Sequence, residues 1–228
     1  MNSNLLRLLH LSDPALPVGG FSHSAGLETY VQLGIVKDAS TTKAFVTGML
    51  SQSLHYTDAA IVSLVYDAIK QNDANHIKYL DELCTAVKLP KEMRQASQKL
   101  GTRLMKIFQP LCNNEWLTRY AEAVQTKQLH GHYCMAFGII AFSLQLSKEN
   151  ALTGFYYNAA SGFVTNSVKL IPLSQQSGQE LLFSLQPMIT DLVQKNINPD
   201  TDLIGLCCTG FDIRCMQHET LYSRLYMS

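Results

Sequence analysis

Cys207, Cys208, Cys215 and His218 bring four soft or borderline metal donors into a dozen residues of this 228-residue chain. Cys215 and His218 are three apart and share a face on any helix, and thiolate with imidazole is a donor set suited to a transition metal. No C-x-x-C pair accompanies them, and cysteine also serves as a small hydrophobe, so the same residues read as packing groups too. A second cluster, His130-Gly131-His132-Tyr133-Cys134, sets donors at alternating positions. Alternate residues diverge by about 200° on a helix, so these converge on one ion only where the segment is extended.

Residues 16–26, Leu-Pro-Val-Gly-Gly-Phe-Ser-His-Ser-Ala-Gly, test two further chemistries. The segment lacks the Gly-Lys-Ser/Thr of a phosphate-binding loop, and Gly19-Gly20 read as a tight turn into a helix opened by Ser22 to Ser24. Gly20-Phe21-Ser22 resembles the start of a nucleophile elbow, but the fifth residue is Ser24 instead of glycine, and an elbow needs a parallel sheet beneath it. The expectation is a chain that binds no nucleotide by itself and is not an enzyme.

The elements that must position these residues are helical. Ile61, Leu64, Val65, Ala68 and Ile69 fall at i, i+3, i+4, i+7 and i+8, one apolar stripe over residues 58–71. Met93, Ala96, Ser97, Leu100, Leu104, Ile107 and Phe108 form another between Pro90 and Pro110. Further helices are expected over 4–11, 24–33, 40–56, 75–87, 115–128, 131–146, 149–170 and 175–195. Asp38 or Ser40 can cap one of them, and Asn72-Asp73 mark a turn. Strand alternation and hairpin signals do not occur. Residues 131–146 are apolar nearly all round and carry Ala136, Gly138 and Ala141. With Gly154, Ala159, Ala160 and Gly162 on the next helix, they imply a central apolar pair ringed by amphipathic helices. The fold class is all-α, a bundle of about ten helices forming one domain over residues 1–228. Within it, 1–21 is an N-terminal segment and turn, 196–210 an extended loop and 211–228 a C-terminal tail.

Composition narrows the function. Eighteen basic and eighteen acidic residues give zero net charge and a charged fraction of 16%, well under the roughly 25% of an average domain. Spread over the roughly 10,000 Å² that a monomer of this mass exposes, that is about one ionisable group per 280 Å². A surface so sparsely charged is expected to be covered in part by other polypeptide. Neutrality excludes an electrostatic footprint for nucleic acid. Two windows without Asp, Glu, Lys or Arg, 128–147 and 150–168, are respectively too short in their apolar run and too broken by polar residues to span a membrane. Six cysteines without paired spacing read as reduced thiols, which places the chain in the cytosol. The tail mixes Met, Leu and Tyr with Arg, the composition of interface hot spots. It either docks on its own bundle or is ordered by a partner.

Five ordered blocks then carry a resemblance. Leu8-Leu9-x-Leu11-Ser12-Asp13-Pro14-x-Leu16-Pro17-Val18-Gly19-Gly20-Phe21-Ser22-His23-Ser24-x-Gly26-Leu27-Glu28 is similar to the opening motif of the urease accessory protein UreF family. Arg94-x-Ala96-Ser97-x-x-x-Gly101, the Gly131-His132-Tyr133 to Gly138 segment and Ser167-Val168-Lys169-Leu170-Ile171-Pro172-Leu173-Ser174-Gln175 with Gly178-Gln179 follow in order. Asp212-Ile213-x-x-Met216-x-His218-Glu219-x-x-Tyr222-Ser223-Arg224-Leu225 closes the set. The resemblance implies an all-α homodimer without catalysis of its own. It would bridge the accessory protein UreD (UreH in some systems) and the GTPase UreG, in a complex that inserts nickel into urease apoprotein. Nickel and GTP would be handled by those partners, with no cofactor bound directly, no nucleic acid and no membrane. It also implies that Lys169 and Glu28 face the GTPase. The tail residues Tyr222, Arg224 and Tyr226 are expected near the UreD-type partner, and His218 and Glu219 are expected to bind a partner. A stand-alone metal carrier using Cys207, Cys208, Cys215 and His218 is the competing expectation.

Overall fold

The computed structural model describes residues 3–227, without the side chain of Phe21; Met1, Asn2 and Ser228, part of the expected terminal segments, lie outside the described residues. The α-helices are α1 (Ser3–Leu11), α2 (Leu27–Gln32), α3 (Ala39–Gly48), α4 (Ala60–Lys70), α5 (Ala74–Val87) and α6 (Lys91–Phe108). After them come α7 (Glu115–Gln125), α8 (Tyr133–Ser143), α9 (Lys148–Leu170), α10 (Gln175–Ser184), α11 (Gln186–Asn196) and α12 (Thr209–His218). No strand occurs among the described residues, and no helix there is long and apolar enough to cross a membrane.

Local chemistry sets most boundaries. The Asp38 carboxylate accepts from the Thr41 backbone N–H at 2.8 Å while the Thr41 hydroxyl accepts from the Asp38 N–H at 3.0 Å, a capping box that opens α3. Asn72 turns the chain with φ 58°, and Asp73 then caps α5 through the His76 N–H. Several expected boundaries differ, and the helix expected over 24–33, opened by Ser22 to Ser24, starts only at Leu27, after Gly26. The helix expected over 175–195 is split at Leu185, because Pro187 sits in the first turn of α11 and supplies no N–H to continue α10. The helices expected over 40–56 and 58–71 are instead one run. A π-helical stretch, Met49–Ala59, joins α3 to α4 without a break.

The core is built around α8, where every residue from Cys134 to Ala141 is buried. Its small residues admit neighbours: a Cβ on Gly138 would collide with Val65 of α4. On α6, a Cβ on Gly101 would collide with the Gly131 carbonyl and lie 2.7 Å from the His132 carbonyl carbon. The central pair of α8 and α9 meets through rings, with Phe137 edge-on to Phe155 at 5.2 Å. The small residues of α9 are used elsewhere: Gly154 lies against Leu8 and Ser12, and Gly162 has open space beside it. Each fully buried Ile or Phe of α8 contributes about 1.5–3 kcal/mol. An exposed pair such as Arg119–Glu115 contributes at most about 1 kcal/mol. Apolar contact around α8, not surface charge, holds this fold.

Candidate functional site

Gly26 has φ 75°, a left-handed conformation, and a Cβ there would lie 2.7 Å from the Cys215 sulfur. Glycine therefore lets α12 close directly onto the start of α2. That puts Glu28, in the first turn of α2, beneath the end of α12 with 5% of its surface exposed. Its carboxylate lies 3.1 Å from His218 Nε2 and accepts the Leu225 backbone N–H at 2.7 Å and the Tyr226 N–H at 3.2 Å. The other ring nitrogen, His218 Nδ1, is 2.7 Å from Glu92 Oε2 on α6. Glu92 Oε1 accepts from the Arg224 guanidinium at 2.7 Å. A carboxyl oxygen thus flanks each nitrogen of the His218 ring. Hydrogen bonds of this kind allow the buried polar groups to be tolerated.

The tail follows this anchor. After α12 the chain runs without helix, and the Met227 N–H donates to the Ser22 carbonyl at 2.8 Å. The Gln32 side-chain amide donates to the Ser223 carbonyl at 3.0 Å. Tyr226 is buried, whereas Tyr222 is wholly exposed and Leu225, Met227, Ile213 and Met216 are largely so. The tail thus docks on its own bundle, as an irregular strap and not as a helix to its end. Glu219 is exposed on its outer side, and Lys169 is exposed in the last turn of α9. Glu28 differs from the surface charge expected of it: burial and three donors spend its carboxylate inside the molecule.

The donors of the metal-carrier reading do not converge. Cys215 is buried, its thiol pushed up by burial and then by the Asp212 charge. His218 has both nitrogens against carboxylates, and Cys207 is exposed with its sulfur 3.3 Å from the Thr209 hydroxyl. Among the described residues no group of three or more His, Cys, Asp or Glu is arranged to hold a metal ion. His132 is fully buried, with Nε2 2.8 Å from the Thr85 hydroxyl and Nδ1 3.2 Å from Ser97 Oγ. The Ser22 hydroxyl donates to the Gly19 carbonyl at 2.8 Å in a 3-10 turn, Gly20–Ser22, and no elbow forms.

Two acidic groups, Asp81 buried and Asp58 partly so, escape sequence reasoning. Asp81 accepts from the Tyr120 hydroxyl at 2.6 Å and from the His130 and Gly131 N–H groups, which fixes the turn into α8. Asp58, in the π-helical stretch, pairs with Lys88 at 2.6 Å where two cavities of about 260 and 280 Å³ adjoin. Each partner lies far along the chain, so spacing carries no sign of either contact.

Fold and site together define an all-helical, single-domain protein whose most organised surface-proximal polar site is an anchored chain end. A family model for UreF matches residues 36–186. The urease accessory protein UreF of Actinobacillus pleuropneumoniae (serotype 5b) is 45% identical over 221 residues, 97% of each chain. That of Haemophilus influenzae (strain Rd) is 44% identical over 226 residues, 99% of this chain and 96% of its own. That of Lachnoclostridium phytofermentans is 33% identical over the full length of both. The chain belongs to the UreF family.

Proposed function

We propose that this chain is a urease accessory protein that acts in urease maturation as a non-catalytic assembly factor. It bridges the UreD-type (UreH) protein and the GTPase UreG, as a homodimer in the cytosol, and the assembly couples GTP hydrolysis to nickel insertion into urease apoprotein. Nickel is cargo of that assembly and GTP belongs to the partner. The observation that carries the reading is similarity across the whole chain to proteins bearing the accessory-protein name, 45% over 97% of both lengths. The geometry supports it. Aromatic and aliphatic side chains at Tyr222, Leu225 and Met227 stand out from an anchored backbone, the form in which hot-spot residues bind at low ordering cost. Further uncovered apolar surface, Leu5, Leu6 and Leu9 on α1 and Phe183 on α10, is what a second copy or a partner would bury. In this role the protein favours one state of the GTPase by binding it better than the other. Co-purification with the UreD-type protein and UreG is the test. Stable complexes, and urease activation lost when this chain is omitted, are expected; a protein that forms no such complex overturns the proposal.

A further inference from the structure

Fifty positions apart in the chain, Cys84 on α5 and Cys134 on α8 place their sulfur atoms 3.4 Å from one another. A disulfide bond is about 2.05 Å long, so the sulfurs need approach by little more than ~1 Å to be joined. Both side chains are wholly buried. Their surroundings are polar, unlike those of inert core thiols. The Cys84 sulfur bonds to that of Cys134, and His132 and the Asp58–Lys88 pair stand close enough to bias their ionisation. The Lys88 ammonium, just past the end of α5, acts on both sulfurs. Burial opposes a thiolate at Cys84, but the Cys134 hydrogen bond, the Lys88 charge and His132 outweigh it and draw that thiol below its ordinary value. Burial, followed by the neighbouring Cys84, pushes Cys134 up. Such an asymmetry suits one sulfur to attack and the other to resolve. Asp58 and Lys88, whose charges act on the sulfurs, also line both cavities.

We propose that Cys84 and Cys134 form a peroxide-sensitive dithiol that closes to a reversible disulfide tying α5 to α8. The oxidant is hydrogen peroxide, small enough for the cavities. The Cys84 thiolate attacks one peroxide oxygen, the O–O bond breaks, and the departing hydroxide takes a proton to leave as water. Cys84 is then a sulfenic acid. The Cys134 sulfur attacks it, the S–S bond forms as the S–O bond breaks, and a second water leaves with the Cys134 proton. Two thiols and one peroxide become one disulfide and two waters; each sulfur loses one electron and each peroxide oxygen gains one. Closure cross-links a loop of fifty residues, which raises the melting temperature by restricting the unfolded chain.

Peptide mapping of the full-length protein after treatment with hydrogen peroxide, quenching and alkylation decides the matter. A Cys84–Cys134 cross-linked peptide, two hydrogens lighter and reversed by dithiothreitol, is expected, together with an upward shift in melting temperature. Cys134→Ala should stop at a Cys84 sulfenic acid that dimedone captures, and Cys84→Ala should leave Cys134 unmodified. The wild-type map stands alone should either variant fail to fold. Recovery of Cys84 and Cys134 as free thiols while the exposed Cys207 is oxidised overturns the proposal, as does a cross-link seen only in denatured protein.

Discussion

Glu28 and His218 stand 190 positions apart and meet at 3.1 Å, a ring nitrogen against a carboxylate oxygen, with both side chains almost entirely out of water. The contact joins the last residue of the opening UreF-like block to the centre of the closing one, so the two blocks form one site. The same carboxylate holds the backbone of Leu225 and Tyr226. The position of the strap is therefore coupled to the imidazole, and through Glu92 to α6.

Replacing His218 with Ala leaves Glu28 and Glu92 facing each other across an emptied buried site. A loss of about 2–4 kcal/mol is expected, from the cavity left by the ring and a lost hydrogen bond at each carboxyl. Urea denaturation followed by circular dichroism measures it. A change under about 0.5 kcal/mol, the size of an ordinary surface substitution, would show that the ring does not bridge the two acids.

Ending the chain after Thr220 removes no helix, because α12 stops at His218. It does remove the buried Tyr226 and two of the three donors on Glu28. Helical ellipticity should stay within a few per cent, melting should shift downward, and binding to the UreD-type partner should be lost. Retained partner binding would place the interface elsewhere.

Two glycines give opposite signs for the same substitution. Gly101→Ala drives a methyl into the Gly131 carbonyl and the His132 backbone, which cannot swing aside as a side chain would. A cost of about 2–3 kcal/mol is expected from overpacking. Gly162→Ala meets nothing within 4 Å in mid-helix and should stabilise by about 0.5–1 kcal/mol through helix propensity. Thermal melts of the two variants side by side check both.

Acid stability should depend on Asp58. Burial pushes its carboxyl up, but the Lys88 ammonium and hydrogen bonds from Lys88, Thr57 and Cys134 outweigh it and hold the group below its ordinary 3.8. A depressed carboxyl stabilises the fold above that ordinary value, and the contribution is lost as pH falls through the lower folded value. Lys88 is raised above its ordinary 10.5 despite burial, chiefly by Asp58. Its contribution is complete below 10.5 and is lost as pH climbs through the higher folded value. The pair therefore acts across the whole middle range. Asp58→Asn should cost about 2–3 kcal/mol at neutral pH, less than a fully buried pair because both side chains keep some exposure, and should flatten the stability curve below about pH 4. Chemical denaturation at a series of pH values reads both effects.

Lys169 has no structural duty in the fold beyond the last turn of α9, where a cation suits the helix dipole. Lys169→Glu should change stability by about 0.5 kcal/mol at most yet weaken capture of the GTPase. Unchanged capture, measured against the Thr220 truncation, would remove Lys169 from that interface.

How much of this was legible in advance follows the range of the forces. Apolar period, caps at Asp38 and Asp73, and the stops at Pro90 and Pro110 act within about four residues, so the sequence by itself determined an all-helical chain and most of its helix ends. Pro187 was there to be read as a break but lay inside a long helical pattern. The π-helical stretch has no comparable local mark, because its extra residue per turn is sustained by what packs against it. Ordered blocks placed the chain in its family without saying what Glu28 or His218 touches. Only the tertiary structure decided that Glu28 is an internal anchor instead of a surface charge, that Cys215 and His218 are taken up by packing and carboxylates, and that Asp58 meets Lys88. A helical hydrogen bond is made with a near neighbour in the chain, whereas a buried charge is satisfied by whichever distant group the packing delivers to it.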